Sequence, residues 1–212
     1  MVVAGALLLA ILAVLIAILV IVLVARRKAR QQQERAASRP RPQDPFAADA
    51  NALRGDPRRL KPGDIVDIRA QTHAVRGSLH FTEGSWGWAE HLLDDLDGRK
   101  RWLSVEEDPD LELVLWIEVA GATVAPGPKS LDFDGRSYAL DESGSARYTG
   151  TGTTGLHPEG TVRYYDYRAA DGARLSFEEY GGSGTWELAR GEELGRHELQ
   201  VFSNTDNTPD QA

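Results

Sequence analysis

The pattern of apolar and polar positions changes character twice along the chain. From Val2 to Val24 every residue is Leu, Ile, Val, Ala or Gly, and 17 of these 23 are Leu, Ile or Val. A run that is apolar on every side is unlike the one-faced stripe of a surface helix. At ~1.5 Å per residue it predicts a helix of about 35 Å, longer than the ~30 Å hydrocarbon core of a bilayer. Its large aliphatic residues favour insertion by on the order of 5 kcal/mol. No basic residue precedes the run, and Arg26-Arg27-Lys28-Ala29-Arg30 closes it, a stop-transfer pattern rather than a cleavage site. The expectation is an uncleaved, single-pass transmembrane helix over 2–25. The positive flank then places the N-terminus outside and the rest of the chain on the cytoplasmic side of the inner (plasma) membrane.

Residues 26–59 lose this pattern without gaining another. They are rich in Gln, Ala, Arg, Pro and Asp, a composition that buries too little apolar surface to order itself. They read as a basic, then polar, linker. Arg26, Arg27, Lys28 and Arg30 are its expected contacts with membrane lipid, each worth about 1 kcal/mol against anionic headgroups.

From Lys61 onward short runs of alternating polarity are separated by Gly, Asp, Asn and Pro, the pattern of antiparallel strands. Leu111, Leu113, Leu115, Ile117 and Val119 mark one face of such a run, which period two makes a core face. The pattern also repeats. Asp97-Gly98 with Leu103-Ser104-Val105-Glu106-Glu107 recurs as Asp171-Gly172 with Leu175-Ser176-Phe177-Glu178-Glu179, and Asp-Gly is a hairpin signal. Thr72-His73-Ala74-Val75 likewise matches Ser137-Tyr138-Ala139-Leu140, with an insertion expected within the Gly- and Thr-rich residues 145–158. The predicted fold class is mainly β: a transmembrane helix followed, over 60–203, by an antiparallel β domain of two repeated meander-like halves, then a disordered tail at 204–212.

Charge narrows the candidate functions. The chain carries 24 Lys and Arg against 32 Asp and Glu; residues 26–41 hold seven basic residues and one acid, leaving a net −14 from Pro42 onward. A domain this acidic repels phosphates, so nucleic acid is not an expected partner. The absence of cysteine excludes disulfides, thiolate metal sites and thiol nucleophiles.

Four strings carry a family likeness: Leu60-Lys61-Pro62-Gly63-Asp64, Val75-Arg76-Gly77, Trp88-Ala89-Glu90-His91-Leu92 and Trp102-Leu103-Ser104-Val105-Glu106. Over roughly Leu60 to Phe202 the chain resembles the bacterial family called domain of unknown function 4178. The resemblance implies an all-β domain, often membrane-tethered, in proteins like those encoded beside small membrane proteins and aminopropyltransferase-like enzymes. It supplies no catalytic residues to carry over.

No catalytic constellation, metal site or cofactor site is expected. His73, His80, His91, His157 and His197 form no His-Glu-x-x-His string and read as surface or turn residues. Gly182-Ser183-Gly184 lacks the spacing of a hydrolase elbow, and Gly181 to Gly184 reads as a hairpin loop. What remains is aromatic and acidic. Trp86, Trp88 and Glu90 share a strand face, while Trp102 stands opposite Leu103 and Val105 with Ser104 and Glu106 beside it. Indoles interleaved with carboxylates hold a cation by ring quadrupole and charge, so Trp88, Glu90, Trp102 and Glu106 are the candidate ligand-binding residues. The bland alternative is that the indoles fill a second core and the glutamates solvate an edge.

Three functions are compatible with this. The leading expectation is a non-enzymatic, membrane-tethered binding or scaffold module whose acidic face recruits a basic protein or a small cation such as a polyamine. The alternative is an accessory subunit, or an enzyme, working with an aminopropyltransferase-like membrane enzyme. The third is an assembly subunit that forms homo-oligomers through sheet edges. Carboxylates converging in a closed pocket would favour catalysis, and an open acidic face would favour recruitment.

Overall fold

The structure is a computed structural model that describes residues 53–94, 98–107 and 109–204. The chain divides into units 1–47 and 48–212, and every described residue belongs to the second. Among these residues the strands are β1 (Ile65–Ile68), β2 (Gln71–Glu83), β3 (Trp86–Leu93), β4 (Arg101–Glu107), β5 (Leu111–Glu118), β6 (Ser130–Phe133), β7 (Arg136–Gly152), β8 (Glu159–Ala169), β9 (Arg174–Tyr180), β10 (Glu187–Glu193) and β11 (Leu199–Phe202).

The order β2-β3-β4-β5-β10-β9-β8-β7 returns to β2, so eight antiparallel strands close a barrel. β2 to β5 run as one meander and β7 to β10 as another. They meet at two seams, β5 against β10 and β2 against β7. β2 and β7 are long because each pairs with three strands, β2 with β1, β3 and β7 and β7 with β6, β8 and β2. The first residues of β2 pair with β1, which pairs in turn with β11, and the first residues of β7 pair with β6. A register break lies between Val75 and Gly77 in β2 and between Leu140 and Glu142 in β7. Bulges bend a strand and add twist, and these two begin at Val75 and Leu140, which the sequence repeat matches to each other.

Three expectations need correction. The β domain closes into one barrel rather than lying as two halves, and residues 145–152, read as insertion, form the half of β7 that makes the closing seam. The single-pass architecture, its orientation and its inner-membrane localisation do not stand on this structure. No helix among the described residues is long and apolar enough to cross a membrane. The segment 2–25, the contacts Arg26, Arg27, Lys28 and Arg30, and the tail from 205 lie outside the described residues. Finally, His73 and His91 are buried rather than superficial. His91 Nδ1 lies 2.8 Å from Ser78 Oγ, and burial, with His80 nearby, pushes its pKa down to about 4.

Alternation sorts the side chains of the barrel into two populations. Leu103, Val105 and Leu113 point outward and are covered by Leu60, Val66, Ile68, Leu199 and Val201 from β1, β11 and the segment before them. Leu175, Phe177 and Leu188 also point outward, beneath Leu131, Phe133 and Val124. The two aliphatic cores therefore lie on the outside of the barrel wall. Inside, Leu79, Phe81, Ala146, Tyr148 and Val162 form a smaller plug. The rest of the interior is left to the other residues of those inward faces.

Candidate functional site

The inward residues of β3 and β4 are Trp88, Glu90, Trp102, Ser104 and Glu106, the alternates of the outward Leu103 and Val105. Period two and the register make this unavoidable: Glu90 pairs with Ser104, and Trp102 with Trp116. The second meander repeats the arrangement. Leu175-Ser176-Phe177-Glu178 occupies β9 as Leu103-Ser104-Val105-Glu106 occupies β4, and Asp166 of β8 faces Ser176 as Glu90 of β3 faces Ser104. Duplication thus delivers two carboxyl-serine pairs and two further glutamates to one interior.

These groups line a cavity of about 400 Å³. Among the described residues nine carboxyl side chains border it, against two guanidinium groups, Arg168 and Arg174, so the lining suits a cation and disfavours an anion. Both arginines are already engaged. Arg174 donates to Glu112 at 2.9 Å and to Glu193 at 3.0 Å, and Arg168 donates to Asp141 at 3.0 Å. The Arg174 guanidinium accordingly holds the Glu112 carboxyl below its ordinary range. Exposed Asp110, Asp141, Glu142, Glu193 and Trp86 mark where the cavity meets solvent. Trp86 donates its indole N–H to Glu106 at 2.8 Å.

Deeper in, the carboxyls lack cations. Glu90 accepts an N–H from Trp88 at 3.2 Å, and Glu178 accepts the Tyr180 hydroxyl at 2.8 Å. Asp166 faces the void with Oδ1 buried and without a hydrogen-bond partner. No Lys, Arg or His forms an ion pair with any of the three among the described residues. Burial disfavours the charged form of such groups, and neighbouring carboxylates disfavour it further. Burial, then Glu178, raises Glu90 well above the usual carboxylate range. Burial pushes Asp166 up to about 7, with Glu142, Glu106 and Asp141 adding to the rise and Ser176 opposing it. Burial likewise carries Glu178 to about 7, opposed by the Tyr180 hydroxyl and assisted by Asp166 and Glu187.

Aromatic rings complete the walls. Trp88 stacks on Phe81 at 4.8 Å and meets Tyr164 edge-on at 5.7 Å. Tyr164 donates to Glu83 at 2.7 Å. Trp116 donates to Ser104 Oγ at 3.0 Å, and its six-membered ring lies against Gly191, where any Cβ would overlap it.

Of the residues expected from sequence, Trp88, Glu90 and Glu106 share this cavity, while Trp102 turns inward but packs with the apolar plug instead. Asp166, Glu178, Tyr164 and Trp116 were not among them. The repeat of Glu106 as Glu178 was the signal available for one of these; Asp166 becomes the counterpart of Glu90 only once strand pairing is known. Among the described residues no group of three or more His, Cys, Asp or Glu side chains is arranged to hold a metal ion.

Two antiparallel meanders closed into an eight-stranded barrel, with aliphatic cores outside and an acidic cavity inside, define the class of this protein. The chain belongs to the family described as Domain of unknown function (DUF4178), whose model matches residues 61–196. It is similar to an uncharacterised protein of Mycobacterium bovis and to uncharacterised proteins of two strains of Mycobacterium tuberculosis. Each is 39% identical over 166 residues, covering 76% of this chain and 79% of the relative. No solved structure matches the chain at a significant level.

Proposed function

We propose that the barrel is a binding module that takes a small organic cation, of the polyamine kind, into its interior. The observation that carries this reading is the convergence of Glu90, Asp166 and Glu178 on one cavity inside the barrel without, among the described residues, a cationic side chain paired to any of them. A guest ammonium supplies that countercharge, and Trp88, Trp116 and Tyr164 offer ring faces and edges to its alkyl chain. Eight-stranded barrels have interiors of the size that holds one small ligand. Because these three acids lie inside the barrel rather than on an open face, they favour a small cation over a basic protein.

Titrating spermidine into the full-length protein at low salt, while following tryptophan fluorescence and calorimetric heat, tests the proposal. Saturable binding that weakens with added salt is expected, with Glu90→Gln reducing it. Neither heat nor fluorescence change at millimolar spermidine would overturn the reading.

The closed convergence of carboxyls also favours a second reading, an enzyme in which one carboxyl donates a proton that another accepts. Two features weigh against it. No histidine lines the cavity, and the Ser104 hydroxyl is already engaged by Trp116 and the Val114 carbonyl. Spermidine recovered unchanged, by mass spectrometry, supports binding; a modified product would favour catalysis.

A further inference from the structure

We propose that the cavity takes up its cation by proton exchange: the carboxyls of Glu90, Asp166 and Glu178 carry protons while the cavity is empty, and an entering ammonium displaces them to solvent. This rests on the cation reading of the same cavity and adds what the site does when unoccupied.

The geometry requires a counterion of some kind. Three carboxylates enclosed together, each without a cationic partner, cannot all remain ionised without a large cost in solvation and mutual repulsion. The groups around them offer no relief. Glu90 faces Trp88 on its own strand and Glu178 across the barrel; Asp166 faces Ser176 on β9, Glu106 on β4 and Asp141 and Glu142 on β7; Glu178 faces Tyr180 on its own strand and Glu187 on β10. Every one is neutral or acidic. The cations that line the cavity, Arg168 and Arg174, are held by Asp141 and by Glu112 and Glu193, and Lys100 is held by Glu118 and Glu187. Protons are therefore the countercharge available to the empty site, consistent with the upward displacement of all three carboxyls by burial.

The exchange balances simply. An ammonium enters charged, a carboxylic O–H bond breaks, the carboxylate stays to pair with the ammonium, and the proton leaves to buffer. No other covalent bond changes in either partner. Asp166, which lines the cavity, is the carboxyl placed to meet a guest nearer the solvent side, beside exposed Glu142, to which its strand position pairs; its Oδ1 is buried without a hydrogen-bond partner.

Calorimetry of spermidine binding to the full-length protein in paired buffers of unlike ionisation heat, cacodylate and MES at about pH 6 and phosphate and Tris at about pH 8, counts the protons released. About one or more protons per spermidine is expected near pH 6, and fewer near pH 8, where Asp166 and Glu178 have lost theirs unaided. Asp166→Asn, which keeps the shape and removes one titrating group, should lower the count. An infrared band of protonated carboxyl groups in the empty protein, diminished by spermidine, provides a readout that needs no variant. Saturable binding with the same heat in both buffers near pH 6 and an unchanged infrared band would overturn proton exchange while leaving the cation reading intact. Neither heat nor fluorescence change in any of these buffers would overturn both.

Discussion

At Gly191 a single missing side chain sets the shape of the cavity. The residue pairs with Trp116 across the β5–β10 seam, and a methyl group there would overlap the six-membered ring of the indole. Trp116 cannot simply swing aside, because its N–H is committed to Ser104. Overpacking of this kind costs about 1–3 kcal/mol. Gly191→Ala should therefore destabilise the protein by that amount in urea denaturation, and should cost much less in a Trp116→Ala background, where the overlap is gone. Equal costs in both backgrounds would show that the ring is free to move. Gly144 plays a similar part in β7 opposite Tyr164 of β8, where a Cβ would crowd the Tyr164 hydroxyl and the Glu83 carboxylate. Both positions show why glycine in a strand interior marks close approach rather than a turn.

Among the elements, the seam between β2 and β7 is where the two meanders become one object. Its interior side is packed by Phe81 against Tyr148 at 6.0 Å, with Tyr180 edge-on to Tyr148 at 5.6 Å. Tyr148→Ala should cost about 3–5 kcal/mol and speed amide exchange along β2 and β7 more than along β3, β4 and β5. Uniform acceleration would mean that the meanders open only together. This seam was also the least legible part of the sequence. Alternation and Asp-Gly turns are local, so most strands and the repeat could be read directly. Residues 145–152 have few large apolar side chains, and their pairing partner lies some seventy positions away, which no local pattern encodes. The same non-locality hid half the site. Trp88, Glu90 and Glu106 were legible because one face of adjoining strands carries them, whereas Asp166 and Glu178 join them only through closure. Trp102 shows the limit of parity: it faces inward as expected, yet depth along the barrel gives it to the apolar plug.

For the whole molecule, interior carboxyls without cations predict an unusual dependence of stability on pH. Asp166 and Glu178 titrate near 7 in the folded protein, but near about 4 once unfolding returns them to water. Between about pH 4 and 7 the folded state therefore holds more protons than the unfolded state, and stability falls as pH rises, by about 1.4 kcal/mol per pH unit for each such proton. Glu90, raised in the same direction by burial, steepens the fall. His91 works the other way. Burial lowers it to about 4 against about 6.5 when unfolded, so over about pH 4 to 6.5 the folded state lacks a proton that the unfolded state binds, and stability rises with pH. Carboxyls outnumber this histidine, so the ligand-free protein should lose stability between about pH 5 and 7 in a series of urea denaturations. Most domains are instead near their maximum in that range. The Asp166→Asn, Glu178→Gln double variant should flatten the fall, because Glu90 and His91 then oppose one another, and spermidine should stabilise the wild type most above about pH 7, where Asp166 and Glu178 are ionised. A stability curve that rises steadily through pH 5 to 7 in the wild type would show that the three carboxyls ionise freely inside the barrel.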